Sequence, residues 1–300
     1  MTKEFEVPPF ASMFAPIANL GNPSSMLIHA LGAGRRKTST AISILDVPQY
    51  QDARVLVIDI DRGTSAFANS PSAVRAAEEG RLNIIQMDKR KVNDTFGQLR
   101  YFLGYTDEHG EFIEGEAFNP RWGYDIVIFD TLDVAQQVSV EWHLANTYSE
   151  KDPTNKNTRA AWGDVGRWTN GLMWAFQNNT DSLGIIIAHS EGATDDAGKY
   201  RIRPKLQGGA KENIDSIPDV VFYLDLEEDP ADKNKAITVA TTGNSQYIMA
   251  KNRSMMPSRV PNFDLPWYYN YLAEKRAEVA AKAKSGKPTA VPTTPAAKAA

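Results

Sequence analysis

The segment from Met26 to Ile44, MLIHALGAGRRKTSTAISI, decides the fold of this chain. A short apolar run leads into a turn that contains Gly32 and Gly34. The turn ends in Lys37 and Thr38, which open an amphipathic run. This is the order of a strand, a phosphate-binding loop and a helix. In such a loop the lysine reaches the β- and γ-phosphates of a nucleotide, and the hydroxyl binds Mg²⁺.

The loop departs from the usual pattern G-x-x-x-x-G-K-[ST] at both of its defining glycines. Leu31 and Arg36 occupy those two positions. Phosphate binding depends on backbone N–H groups that converge on the anion, and the two interior glycines still allow this. The Arg36 side chain either obstructs the β-phosphate or turns outward, and the sequence leaves both possibilities open. The residues assigned to nucleotide binding are Gly32, Gly34, Arg35, Arg36, Lys37, Thr38 and Ser39.

The composition limits the classes of fold and function that the chain could have. With 300 residues, 42% hydrophobic and 23% charged, it suits one large α/β domain with appendages. A net charge of -4 gives no global attraction to nucleic acid or membrane, so polyanion binding needs a local basic patch. The absence of cysteine excludes disulfides and thiolate metal sites. The start MTKEFEVPPF lacks the features of a signal peptide. We therefore expect a cytoplasmic protein with no membrane partner.

Short apolar runs alternate with longer helical patterns between Met26 and about Arg253. The runs IVIF and GIIIA are continuously apolar, which predicts strands that are buried on both faces of a mainly parallel sheet. The late runs DVVFYLDL, AITVATT and QYIMA are closely spaced, which predicts antiparallel strands. A helix is predicted where large apolar residues recur at helical spacing, from Trp162 to Phe176.

We predict an α/β fold with three regions. Residues 1–25 are rich in proline and form an extended N-terminal arm. Residues 26–255 form the core. Residues 256–300 form a C-terminal extension that ends in a disordered tail rich in Ala, Lys and Pro.

Three polar residues follow predicted strands and are candidates for catalysis. Asp130 ends the buried strand YDIVIFD, where a carboxylate holds Mg²⁺ together with Thr38. Asp61 follows the strand VLVID and is placed to orient or deprotonate an attacking water. His189 follows GIIIA and is placed to sense the γ-phosphate. The alternatives are a helix cap for Asp130, a turn residue for Asp61 and a satisfied strand-end histidine for His189.

Basic residues form two further candidate groups. Alternate positions of KYRIRPK carry a stripe that would face one way on an extended chain and could track phosphates, with Tyr200 placed to stack on a base. An edge strand protected by charge is the alternative. The stripe consists of Lys199, Arg201, Arg203 and Lys205. Lys251 and Arg253 follow a late run and are candidates for stabilising charge in a neighbouring subunit, with isolated surface charges as the alternative.

With these residues in view, the chain resembles the RecA-like P-loop ATPases. It is most similar to the phage-encoded AAA-type nucleotide-binding proteins that accompany single-strand annealing recombination. The resemblance spans about Phe14 to Arg253. It is carried by MLIHALGAGRRKTSTA, VLVIDIDRG, YDIVIFDTLD, the tryptophan-containing helix, IIIAHSE, DVVFYL and YIMAKNR.

The resemblance implies a RecA-like core that uses ATP and Mg²⁺ and acts on single-stranded DNA as a ring or filament of identical subunits. A single-strand annealing or single-strand binding protein is the implied partner, in the cytoplasm of the host cell. By position, Lys37 and Thr38 match the phosphate-loop pair and Asp130 the magnesium-binding acid. Asp61 matches a catalytic acid that is more often glutamate, and His189 matches the switch residue.

Lys251 and Arg253 match the basic pair that acts in a neighbouring subunit. In the family, the loop after the switch residue approaches DNA, and here that loop is Ser190 to Lys205. Two functions stay open at this stage. One is DNA-dependent ATP hydrolysis in recombination or repair. The other is a non-hydrolysing DNA-binding or assembly protein in which Arg36 blocks phosphate binding.

Overall fold

The computed structural model describes residues 22–147, 156–179, 181–194, 198, 200–214, 216–243, 245, 247–252 and 256–284. The strands are β1 (Ser25–Leu31), β2 (Val55–Asp59), β3 (Leu82–Gln86), β4 (Gly104–Thr106), β5 (Phe112–Glu114), β6 (Ile126–Asp130), β7 (Leu183–Thr194), β8 (Tyr200–Pro204), β9 (Val220–Asp229), β10 (Asp232–Thr241) and β11 (Arg259–Pro261). The α-helices are α1 (Lys37–Ile42), α2 (Pro71–Glu78), α3 (Val92–Leu103), α4 (Leu132–Asn146), α5 (Lys156–Asn178), α6 (Ala210–Asn213) and α7 (Leu265–Lys284).

Among the described residues, nine strands form the main sheet. Eight of them follow the order β11-β10-β9-β1-β7-β6-β2-β3, and β8 pairs with β7 outside this path. The six strands from β9 to β3 in this order are joined by five pairings, all of them parallel. Antiparallel pairing joins β8 to β7, β10 to β9 and β11 to β10. The predicted α/β class, with a mainly parallel sheet and antiparallel strands late in the chain, is confirmed.

Helices cover both faces of the sheet, which explains the continuously apolar strands. Successive residues of a strand point to opposite faces. Met26 and Ile28 of β1 therefore pack into one core with residues of α1, α2 and α7. Leu27 packs into the other core with residues of α3, α4 and α5. The predicted helix around the tryptophans is α5, and Trp168 is buried with its Nε1 donating to the carbonyl oxygen of Gly104 at 2.9 Å.

The carboxyl ends of the parallel strands share one edge of the sheet. β7 is longer than its neighbours, so Glu191 to Thr194 extend beyond them, and this end of β7 pairs with β8 as a hairpin. Three predicted elements of the site, the loop after β1, the end of β6 and the end of β7, therefore converge at this edge because the order β1-β7-β6 makes them neighbours.

The run QYIMA does not form the predicted strand. Ile248 of the run forms one bridge to Ile202 of β8, whereas Lys251, the residue after the run, forms one bridge to Val221 of β9, so no continuous ladder develops among the described residues. The last antiparallel strand is β11 instead.

The start of the predicted C-terminal extension packs on the core, where Tyr268 of α7 is fully buried. Helix α7 also continues to Lys284, through the first residues of the predicted tail. The rest of the tail and the predicted arm up to residue 21 lie outside the described residues.

Candidate active site

The loop between β1 and α1 alternates in backbone handedness. The φ angles are positive at Gly32, Gly34 and Arg36, at 71°, 74° and 58°, and they are not positive at the two residues in between. In loops whose φ alternates in sign in this way, successive backbone N–H groups can form one concavity that binds anions and is called a nest. A Cβ added at either glycine would meet nothing within 4 Å. The missing second glycine therefore does not prevent the nest, since Arg36 adopts the left-handed conformation that glycine would favour.

The Arg36 side chain lies away from this nest. Its guanidinium donates to the carbonyl oxygen of Ala236 at 3.1 Å and to the Thr238 hydroxyl at 3.4 Å, both on β10. Arg35 is also directed to the neighbouring strands, with its Nη1 2.7 Å from Asp225 Oδ1 on β9. Both arginines thus join the loop to the antiparallel part of the sheet. Of the two orientations that the sequence allowed for Arg36, the structure has the outward one.

Lys37 lies under the loop. Its Nζ donates to the carbonyl oxygen of Gly32 at 3.0 Å, and the residue is only 7% exposed. Burial lowers the pKa of Lys37, while the carboxylates of Asp130, Asp133 and Asp61 act to raise it. The ammonium group is therefore bound to the loop backbone and lies in the electrostatic field of three carboxylates.

Thr38 and Asp130 are in direct contact. The Thr38 hydroxyl donates to Asp130 Oδ2 at 2.7 Å. Burial raises the pKa of Asp130 to about 6, against the Thr38 hydrogen bond, which lowers it. Gly63 packs directly against this pair. A Cβ at that position would lie 2.7 Å from Asp130 Oδ2 and 2.9 Å from Thr38 Oγ1, so only glycine fits without a shift.

The hydroxyl and the carboxylate fit Mg²⁺, a hard cation that prefers oxygen ligands and keeps several waters. In the part of the chain that the structure describes, no group of three or more His, Asp or Glu side chains could hold a metal ion alone. A pair of protein oxygens completed by nucleotide phosphates and water is the usual magnesium arrangement at such loops.

A second cluster lies beside this pair. His189 Nδ1 is 3.0 Å from Asp133 Oδ2, and the His189 backbone N–H donates to Asp133 Oδ1 at 2.9 Å. On its other side, His189 Nε2 is 3.6 Å from Asp61 Oδ2. The second oxygen of Asp61 accepts from Lys89 Nζ at 2.9 Å. Asp59, two residues earlier, instead accepts from the backbone of Gly63 and from Thr64.

His29 connects the strands behind the loop. This fully buried side chain donates from Nε2 to the Met249 carbonyl oxygen at 2.7 Å, and its Nδ1 accepts from the Ser190 hydroxyl at 2.8 Å. Burial lowers the pKa of His29 to about 4. The imidazole is therefore neutral near pH 7, as an Nε2–H tautomer fixed by the carbonyl acceptor.

The basic candidates lie outside this cluster. Arg201 and Arg203 are half-buried on β8, and Arg203 pairs with Glu191 of β7 at 3.3 Å. Lys205 is exposed just after β8. Lys251 pairs with Val221, near the start of β9, and its Nζ donates to the carbonyl oxygens of Ser216 and Pro218 at 2.6 Å each. The remaining candidates, Lys199 and Arg253, lie outside the described residues.

Sequence reasoning missed Asp133 and Gly63. Asp133 stands three residues after Asp130, in the first turn of α4. Asp130 ends β6 and α4 begins at Leu132, so an acid in the first helical turn after the strand also lies at the carboxyl edge of the sheet. That position was the available signal. For Gly63 there was no signal beyond its place in a turn, because the close approach to Thr38 depends on tertiary packing.

Comparison with known proteins agrees with this geometry. The family described as AAA domain matches residues 32–254, about three quarters of the chain. The chain belongs to this family. The domain is therefore of the AAA-type P-loop ATPase class, and the matched residues include every site candidate from Gly32 to Arg253.

The similarity to solved structures is distant in sequence. A KaiC-like protein from the hyperthermophilic archaeon Pyrococcus horikoshii OT3 is 12% identical, with 80% of this chain and 85% of that chain covered and a TM-score of 0.40. No curated protein sequence matches the chain. No helix among the described residues is long and apolar enough to cross a membrane.

Proposed function

We propose that this AAA-domain protein binds ATP with Mg²⁺ and hydrolyses it. The observation that carries the proposal is the combination of an alternating-φ nest, a buried Lys37 and a Thr38–Asp130 pair at one edge of the sheet. Backbone N–H groups of the nest bind the phosphates, and the Lys37 ammonium moves from the Gly32 carbonyl to a phosphate oxygen. Mg²⁺ held by Thr38 and Asp130 would neutralise charge that develops on the phosphates.

Three chain features act on the reaction in this proposal. Asp61, on the far side of His189 from Asp133, orients the attacking water. Lys37 stabilises the transferred phosphoryl group. Lys251 and Arg253 relieve charge in the site of a neighbouring subunit, in a ring or filament of identical chains. The outward Arg36 supports this reading over an assembly protein whose arginine blocks the loop.

We further propose that ATP hydrolysis is coupled to single-stranded DNA bound along the β7–β8 hairpin, in recombination or repair. Tyr200 is 53% exposed and lies against Gly192 on the hairpin, and Tyr247 is 59% exposed next to Ile202. Exposed aromatic rings beside basic residues stack on bases while cations contact phosphates. A single-strand annealing or single-strand binding protein is the partner that this function implies.

The experiment is steady-state ATP hydrolysis with and without single-stranded DNA. Wild type is expected to hydrolyse ATP with Mg²⁺ and to be stimulated by DNA, whereas Lys37→Ala is expected to be inactive. A wild-type rate that DNA leaves unchanged, but that another polymer raises, would overturn the DNA assignment while preserving the ATPase.

The DNA surface is tested separately by a double variant, Arg203→Ala with Lys205→Ala. DNA affinity should fall, and the slope of log K against log salt should become shallower by roughly 1.4, because two phosphate contacts are lost. Arg75→Ala, which removes an exposed charge from α2, is the matched control and should leave both quantities unchanged. An unchanged salt slope in the double variant would place the DNA elsewhere.

A further inference from the structure

The side chain of Asp133 holds His189 from two directions. One carboxylate oxygen accepts from the His189 backbone N–H at 2.9 Å, and the other lies 3.0 Å from Nδ1. The Asp133 side chain is only 9% exposed and lies in the first turn of helix α4. A two-point contact of this kind fixes both the position and the ring orientation of the histidine.

The contact also decides which ring nitrogen carries the proton. Burial acts to raise the pKa of Asp133, but hydrogen bonds from the His189 side chain and backbone outweigh it, so the pKa lies below its usual value. Asp133 is therefore an anion near pH 7 and can only accept hydrogen bonds. It follows that Nδ1 of His189 carries the hydrogen, so that Nε2 is an acceptor when the ring is neutral.

An acceptor at Nε2 is the wrong group for binding a phosphate oxygen. A neutral His189 donates its only ring N–H to Asp133. The lone pair of Nε2 would then point at the lone pairs of a γ-phosphate oxygen, and the two would repel each other. The partner that Nε2 does face is Asp61 Oδ2, at 3.6 Å. Two acceptors at this separation do not bond to each other, but one water about 2.8 Å from each can donate a hydrogen to both.

We propose that Asp61 Oδ2 and His189 Nε2 together hold the attacking water, that His189 accepts its proton, and that Asp133 is the positioning residue for His189. This inference rests on the proposed ATP hydrolysis at the same site. It changes the predicted role of His189, from a sensor that donates to phosphate to a base that accepts from water.

The proton and electron balance is complete within the reaction. The water oxygen forms a bond to the γ-phosphorus, and the bond from that phosphorus to the bridging oxygen breaks, with its electron pair leaving on ADP. One water proton passes to His189 Nε2. The resulting imidazolium lies between the carboxylates of Asp133 and Asp61, which stabilise its charge until the proton is released to solvent.

The kinetic test compares Asp133→Asn and His189→Gln with wild type, and Glu141→Gln serves as the control. Glu141 is an exposed carboxylate on the same helix. The amide introduced by Asp133→Asn can still accept a hydrogen bond, but it also donates and no longer enforces the Nδ1–H form. We expect kcat to fall by about 10²-fold or more with KM for ATP within about threefold, which is the pattern for loss of a base.

The His189→Gln variant separates the two roles of the histidine. A glutamine can hydrogen-bond to phosphate or water, but it cannot take a proton. The Asp133–His189 relay, in which His189 accepts the water proton and Asp133 positions the ring, predicts a loss of kcat at least as large as that of Asp133→Asn. A kcat within about fivefold of wild type in either variant would overturn the relay while leaving the ATPase intact. A wild type that shows no hydrolysis would overturn both the hydrolytic function and the relay.

A second measurement does not depend on activity or on variants that fold. Nitrogen-15 NMR of the wild-type histidines reports which ring nitrogen is protonated. His189 should show Nδ1–H with an unprotonated Nε2, whereas His29, which donates to the Met249 carbonyl, should show the opposite tautomer. An Nε2–H tautomer at His189 would contradict the proposal directly.

Discussion

Replacing Gly63 with alanine tests whether Thr38 and Asp130, the proposed magnesium-binding pair, are packed as the structure describes. The added Cβ would lie 2.7 Å from Asp130 Oδ2 and 2.9 Å from Thr38 Oγ1, and real Cβ contacts essentially never fall under 3.0 Å. Asp130 is 2% exposed, so its carboxylate has little room to move aside. The substitution therefore separates the two oxygens that would hold Mg²⁺, without altering either side chain.

The expected cost follows from overpacking of a buried site. We expect the free energy of unfolding to fall by about 1–3 kcal/mol. ATP affinity in the presence of Mg²⁺ should fall at least about tenfold, which corresponds to roughly 1.4 kcal/mol. Affinity measured in EDTA should change less, because the nest and Lys37 are not displaced. Chemical denaturation and titration of a fluorescent ATP analogue measure these quantities.

The control is Gly97→Ala, in the middle of the exposed face of α3. A Cβ there would meet nothing within 4 Å. Alanine favours the helix over glycine, so the variant should be more stable by about 0.5–1 kcal/mol with unchanged nucleotide binding. If Gly63→Ala binds ATP with Mg²⁺ and resists denaturation as wild type does, the close approach of Gly63 to Thr38 and Asp130 is refuted.

Three further predictions follow. In metal-free protein the raised pKa of Asp130, about 6, makes stability fall as the pH rises from 4 to 6, whereas the lowered pKa of His29, about 4, makes stability rise from pH 4 to 6.5. Each effect is worth about 3 kcal/mol of unfolding free energy, and the two oppose each other. Each substitution removes one effect, so chemical denaturation should show an unfolding free energy that rises with pH in Asp130→Asn and falls with pH in His29→Gln. Equal slopes in the two variants would contradict both assignments. Arg36→Gly should leave ATP affinity within about threefold of wild type, because the side chain binds β10, and tightening beyond about tenfold would show that the arginine obstructs phosphate. Gly104→Ala should lower the free energy of unfolding by at least about 3 kcal/mol, since φ is 104° and a Cβ would lie 2.3 Å from the Ile113 carbonyl oxygen; thermal unfolding like that of wild type would refute this.

Much of the site was predictable because parallel strands end at one edge of a sheet. Apolar runs buried on both faces indicated that sheet, and Asp130 and His189 each end or follow such a run. Their convergence with the loop before Lys37 then depends only on strand direction and neighbouring positions. The alternating backbone of the loop was less predictable, because an arginine in the left-handed region is uncommon.

The features that the sequence did not predict depend on contacts between distant residues. The direction of Arg36 is set by Ala236 and Thr238, two hundred residues later in the chain. The tautomer of His189 is set by Asp133, whose carboxylate meets it only after β6 and β7 pair. The run QYIMA has strand composition, but Ile248 within it and Lys251 just after it pair with different strands, which no local pattern reveals.

Equilibrium binding of a fluorescent ATP analogue with Mg²⁺ to wild type and to Lys37→Ala tests most directly whether this loop binds a nucleotide. We expect micromolar binding to wild type, reduced at least about a hundredfold in the variant, because the buried ammonium is the cation at the nest. Binding that survives the loss of Lys37, or a wild type that does not bind at all, would contradict the assignment of this loop as a working nucleotide site.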